Sequence, residues 1–168
     1  LVVASGLKSL SCSDPTIKIY NFENRMSAGG ARNKGGELAT GEVVCFCDVD
    51  DPIHPQKCEI IKRVFDNQSV DALVHNYNLN TGKFEKMDTE TVSIEKIKDV
   101  DEPPSTNVRT SSTLPIAHGP ISVRRDVTKK IKYQDASFGE DGLFCQSIVK
   151  SEEYNLYYTP LVLINYTT

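Results

Sequence analysis

Apolar and polar positions alternate in short blocks along this 168-residue chain, and the blocks change period repeatedly. Residues 1–4 form an apolar opening of strand length, and residues 16–20 read as a second short strand. Gly29-Gly30 then interrupts the pattern before residues 31–39, whose composition is helical despite Gly35-Gly36. Residues 42–47 predict a strong strand. Pro52 and Pro55 make a turn, with Pro55 suited to a helix N-terminus. Ile60, Ile61, Val64 and Phe65 follow as the i, i+1, i+4, i+5 stripe of an amphipathic helix. Residues 72–79 alternate as a strand, and Asn80-Thr81-Gly82 predicts a hairpin turn into a second strand over 83–87. Residues 99–112, with Pro103-Pro104 and many Ser and Thr, predict a mobile loop. A short strand around 116–118, a helix from about Val123, a helix from 139 to 149 and strands at 157–158 and 161–166 complete the reading. Strands alternating with helices indicate one α/β domain over residues 1–168, a sandwich built on a mixed sheet.

The strand at 42–47 ends in the most informative stretch of the chain, Cys47-Asp48-Val49-Asp50-Asp51. Three carboxylates within four residues repel one another. A hard divalent cation relieves that repulsion, and Mg²⁺ held by one or two carboxylates completes its shell with water and substrate phosphates. In open α/β sheets ligands bind beyond the carboxyl ends of strands, where this cluster falls. A solvated acidic turn capping the next helix explains the same residues.

Composition narrows the function classes. Net charge is −4 and the basic residues are scattered, with only Arg124-Arg125 and Lys129-Lys130 adjacent, so a duplex-binding role is not expected. No apolar run approaches the roughly 20 residues of a bilayer span. The opening Leu-Val-Val has no basic leader and no Met, which predicts a segment of a longer polypeptide. Five cysteines, an odd number, fit reduced thiols and a cytoplasmic setting, with membrane attachment left to the parent protein. Two sequons, at Asn67 and Asn165, point the other way but are common by chance. Cys45, Cys47, His54 and Cys58 could be read as a zinc set, although their spacing matches no common finger or ribbon.

Three further features carry chemistry. Ser27-Ala28-Gly29-Gly30-Ala31-Arg32-Asn33-Lys34-Gly35 places glycines and cations at a helix start, which can hold an anion or simply make a turn. Gly139-Glu140-Asp141 places two acids at another helix start, as capping residues or as a general base. Ala117-His118-Gly119-Pro120 ends a strand in a turn, and no Ser or Cys finds a His and acid partner for a hydrolase triad.

The order of these motifs closely resembles the family 2 glycosyltransferases of GT-A fold. In that family an "ARN-G" helix, here Ala31-Arg32-Asn33-Lys34-Gly35, precedes "A-x-G-E", here Ala39-Thr40-Gly41-Glu42, then a hydrophobic strand and the DxD motif, here Asp48-Val49-Asp50. Gly139-Glu140-Asp141, about ninety residues on, looks like the second acidic motif, and the segment from His118-Gly119 to Arg124-Arg125-Asp126 resembles the one that comes before it. The resemblance covers nearly the whole chain. It implies a GT-A-type mixed, mostly parallel sheet flanked by helices as a three-layer sandwich, lacking the family's first strand and helix. It also implies an inverting transfer from a nucleotide-diphosphate sugar to a saccharide or other hydroxyl acceptor. Asp48 and Asp50 would bind the nucleotide sugar and an Mn²⁺ or Mg²⁺ ion, with Asp51 able to replace either. Arg32 and Asn33 would lie near the nucleotide, Asp141 would be the base with Glu140 beside it, and His118 and Gly119 would face the acceptor. The segment at 1–6 lacks the acids the family usually carries at its second strand. That departure keeps a degenerate carbohydrate- or partner-binding domain as a rival, alongside a sugar nucleotidyltransferase.

Overall fold

The computed structural model describes residues 1–6, 9–67, 69–79, 83–97 and 120–166, with only the backbone of Asn67. Eleven elements follow one another within them: β1 (Val2–Ser5), β2 (Ile19–Phe22), α1 (Ala28–Leu38), β3 (Val43–Cys45), α2 (Lys57–Asn67), β4 (Ala72–Leu79), β5 (Glu95–Lys96), β6 (Ile121–Arg124), α3 (Arg125–Lys130), α4 (Glu140–Lys150) and β7 (Leu156–Tyr166). β1 and β2 pair in parallel as a separate ribbon, and the other strands form one sheet in the order β3-β6-β4-β7-β5. Its longest ladder, β4 with β7, is parallel, while β6 runs antiparallel to both β3 and β4, and β5 antiparallel to β7. This is the mixed α/β sheet expected from the sequence.

Alternation along the strands builds two apolar layers. On one face Val44, Phe46, Ala72, Val74, Ile121, Val123 and Leu156 pack with Phe144, Cys145 and Ile148 of α4 and Val127 of α3. On the other, Leu73 and Leu163 pack with Ile60, Ile61, Val64 and Phe65, the α2 stripe. Each of those four side chains is almost fully buried, a contribution of about 2 kcal/mol apiece. Helices thus cover both faces of the sheet. Arg124 closes the end of α2 by donating to the carbonyls of Phe65 and Val70, both at 2.9 Å.

Two expectations need correction. Residues 83–87 are not a strand, because other groups satisfy their backbone: Gln56 accepts from Met87 N at 2.9 Å and donates to Met87 O at 3.1 Å, and the Glu85 carbonyl meets His54 Nε2 at 2.9 Å. The two terminal strands are one, β7, whose register against β4 shifts on either side of Asn76. Pro160, which has no N–H to give, lies in that irregular stretch. The turn at 80–82, the loop at 99–112 and the strand at 116–118 lie outside the described residues, as do His118 and Gly119.

Candidate active site

α1 starts at Ser27, whose hydroxyl accepts from Gly30 N at 3.0 Å. The first-turn N–H groups are already occupied: Gly29 N donates to the Ala136 carbonyl at 2.9 Å and Ala28 N to the Ser137 hydroxyl at 3.2 Å. A Cβ at position 29 would stand 1.9 Å from the Gln134 carbonyl oxygen. The glycine therefore serves close approach of the 134–137 segment, and that segment occupies the helix start in place of an anion.

This docking delivers Arg32 to the site, one turn further along α1. Its guanidinium is 9 % exposed and meets carboxylates from two distant motifs. One terminal nitrogen donates to both oxygens of Asp48, at 2.8 and 3.2 Å. The other pairs with Glu140 and lies 3.0 Å from Asp141. Burial alone would lower the Arg32 pKa, but Asp141 and Asp48, then Tyr133 and Glu140, outweigh it and raise the pKa. Arg32 stays charged. Among the described residues three carboxylates thus meet on one guanidinium.

Beneath Arg32 lies an aromatic floor. Tyr133 sits 5.5 Å from the guanidinium carbon, stacks on Phe144 at 3.9 Å and meets Phe46 edge-on at 5.3 Å. Asn33 holds Tyr133 in place: its amide donates to Tyr133 O at 2.9 Å and accepts from Tyr133 N at 2.8 Å. Burial, reinforced by Asp141, pushes the Tyr133 phenol well above its ordinary pKa. Sequence reasoning missed Tyr133, which carries no motif. The one hint was a lone aromatic following the lysine-rich stretch Lys129-Lys130-Ile131-Lys132.

The acids reach Arg32 through two local devices. Gly139, at φ +75°, is the left-handed residue from which α4 starts, and Glu140 and Asp141 occupy its first turn, favourably placed against the helix dipole. On the other side β3 ends at Cys45, and Phe46 N still donates to the Ile121 carbonyl at 3.0 Å. Asp51 N then closes the acidic turn on the Asp48 carbonyl at 3.2 Å. β7 fixes the exit, since Asn165 N donates to Pro52 O and His54 N to Leu163 O, both at 2.9 Å. Val49 stands fully exposed at the tip, Asp50 is exposed beside it, and Asp51 is buried beneath.

The zinc reading is not assembled. His54 accepts from Gln56 N through Nδ1 and meets the Glu85 carbonyl through Nε2, so both ring nitrogens are engaged. Among the described residues no three His, Cys, Asp or Glu side chains converge to hold a metal ion.

A glycosyl transferase family 2 model matches residues 3–132 of the chain, most of its length. The chain belongs to that family. Among curated relatives it is 37 % identical over 67 residues to an uncharacterized glycosyltransferase of Nostoc sp., and 49 % identical over 55 residues to the amylovoran biosynthesis glycosyltransferase AmsB of Erwinia amylovora. Those matches cover 40 % and 33 % of this chain but 21 % and 16 % of the relatives. Among solved structures, S. aureus TarS 1–349 in complex with UDP-GlcNAc superposes over 90 % of this chain and 42 % of its own, with TM-score 0.62 at 18 % identity. A mycobacterial protein superposes over 97 % of this chain and 55 % of its own, with TM-score 0.60 at 16 % identity. These likenesses agree on the GT-A fold, and this family 2 chain spans only part of each protein. Among the described residues no helix is long and apolar enough to cross a membrane.

Proposed function

We propose that this domain is the nucleotide-sugar site of an inverting glycosyltransferase, moving a sugar from a nucleoside diphosphate to an acceptor hydroxyl. One observation carries the reading: Arg32 draws Asp48 and the Glu140-Asp141 pair, ninety residues apart in sequence, onto one guanidinium at the carboxyl end of β3. Folding alone gives little reason to gather these acids on a single buried cation, whereas a donor site beside an acceptor base needs them adjacent.

The donor set suits a divalent cation held jointly with a diphosphate better than a resident ion. Asp50 is exposed and Asp48 retains lone pairs beyond the two on Arg32, so these two would hold the ion while phosphate and water complete its shell. A cation held there would supply charge neutralisation for the departing diphosphate. Asp141 accepts the proton of the acceptor hydroxyl as that oxygen bonds to the anomeric carbon, and the bond from that carbon to the diphosphate oxygen breaks on the opposite face. Glu140 orients acceptor hydroxyls. Arg32 holds both motifs in register, so orientation is set before substrate arrives. TarS was solved with UDP-GlcNAc, which makes uridine nucleotides the first donors to test.

Asp141→Asn separates binding from chemistry. Its affinity for UDP with Mn²⁺ should match wild type, while transfer to an acceptor should fall at least about a hundredfold, the scale of a lost general base. Transfer at the wild-type rate would remove Asp141 from the role.

A further inference from the structure

The chain between α3 and α4 runs down one face of α1. Gly29, Asn33 and Gly36 follow one another at steps of four and three residues, so they share that face. At Gly36 the neighbour is α3, where an added Cβ would stand 3.0 Å from Thr128 Cβ. At Gly29 it is the backbone of Gln134 and Ala136. Asn33 lies between these two close approaches and bonds to the residue between them. Its Oδ1 accepts from Tyr133 N at 2.8 Å and its Nδ2 donates to Tyr133 O at 2.9 Å. One amide thus satisfies both backbone groups of a single residue, as a strand partner would. Tyr133 carries this registration to α4. Its buried ring stacks on Phe144 at 3.9 Å with the planes 9° apart, and Phe144 comes three residues after Asp141 on the same helix. The guanidinium carbon of Arg32 lies 5.5 Å from the same ring. A shift of Tyr133 would therefore disturb both the acid pair and the cation it meets.

We propose that Asn33 is a positioning residue and not a nucleotide ligand: by pairing with the Tyr133 backbone it sets the first turn of α4, and with it Glu140 and Asp141, in place against Arg32. Two neighbours in sequence then divide the work. Arg32 meets the acids directly, and Asn33 fixes the segment that delivers them. The pairing stands on its own contacts; only its effect on turnover rests on the transferase reading.

Amide hydrogen exchange, Mn²⁺–UDP titration and UDP release from UDP-GlcNAc, each on Asn33→Ala, test it together. The fold should survive, because Gly29 N, Ala28 N and the Ser27–Asp135 pair still tie the 134–137 segment to α1. Amides at 143–145, in the first bonded turn of α4, should exchange about tenfold faster, the scale of one or two lost hydrogen bonds, while α2 keeps wild-type rates. Affinity for UDP with Mn²⁺ should match wild type, and UDP release should fall about tenfold to a hundredfold, as misplacement of a reacting group does. Tyr133→Leu keeps the backbone that Asn33 holds but loses the ring. It should speed the same amides, and the double variant should exchange no faster than the faster single one. Wild-type exchange at 143–145, acceleration that spreads to α2, wild-type turnover, or additive effects in the double variant would overturn the proposal. Weakened Mn²⁺–UDP affinity would overturn it too, by making Asn33 a nucleotide ligand. If Tyr133→Leu does not fold, Asn33→Ala alone decides. Failure of the wild-type protein to bind Mn²⁺–UDP or to turn over UDP-GlcNAc would count against the transferase reading, and the exchange rates would still decide the pairing.

Discussion

Two buried cations flank one acidic turn, and they are held in opposite ways. Arg32 makes direct contacts to three carboxylates and lies over an aromatic ring, while Lys57 Nζ makes no hydrogen bond among the described residues. A guanidinium presents a planar fork of five donors, so one residue can bind acids arriving from two elements. An ammonium is a compact point charge whose effect reaches beyond contact. The comparison shows that the clasp around Asp48, Glu140 and Asp141 is built on the guanidinium, and that Lys57 takes no direct part in it.

The strongest way to break the comparison is to remove the clasp. Arg32→Met leaves three carboxylates facing one another in a poorly solvated site and should destabilise the protein by about 3–5 kcal/mol in urea unfolding. Arg32→Lys keeps the charge but loses the fork, so it should recover only part of that loss. Lys57→Met breaks no direct bond among the described residues and removes a buried charge, so it should change stability by less than about 1 kcal/mol. A larger loss for Lys57→Met than for Arg32→Met would contradict this contrast.

The Lys57 side also carries a pH signature. His75 is neutral in the fold, with its pKa down at about 3 against 6.5 ordinarily, because burial and then Lys57 oppose its charging. The unfolded chain therefore binds more protons between those values, and stability rises with pH across that window. His75 contributes fully above about pH 6.5, and the contribution is lost as pH falls toward 3. Between pH 7 and pH 5 that loss is about 2 kcal/mol, and a His75→Asn variant should show a correspondingly shallower dependence. Equal slopes for both proteins would place His75 outside this account.

Gly139→Ala should have the smallest effect, about 1 kcal/mol. Its φ of +75° disfavours a side chain, but an added Cβ would meet nothing within 4 Å. The change should disturb the clasp and not the surroundings of Lys57, so its stability loss should shrink in an Arg32→Met background and stay the same in a Lys57→Met one.

How far the sequence revealed this depends on where each residue finds its partner. The α2 stripe and β4 were legible because period and burial are local properties; β4 runs over Ala72–Leu79, as expected. The 83–87 strand was misread because Gln56 and His54, 31 residues away, take backbone bonds that a hairpin would have used. Gly29-Gly30 read as a plain turn or an anion site, and the use of Gly29 in admitting the 134–137 backbone is announced by no local pattern. The acids of the site were legible through their order along the chain. Their convergence on Arg32 was not, since it depends on α1 and α4 meeting. Lys57 was least legible of all. In Gln56-Lys57-Cys58-Glu59 it resembles any solvated helix start, and only the closure of α2 over β3 and β4 buries it.

Calorimetric titration of the wild-type protein and Asp50→Ala with UDP, in the presence and absence of Mn²⁺, tests the central claim most directly. Wild type should bind UDP only when Mn²⁺ is present, and Asp50→Ala should lose that binding while unfolding as wild type does. Binding that ignores the metal, or that survives Asp50→Ala unchanged, would contradict the assignment of the Asp48–Asp51 turn as the diphosphate site.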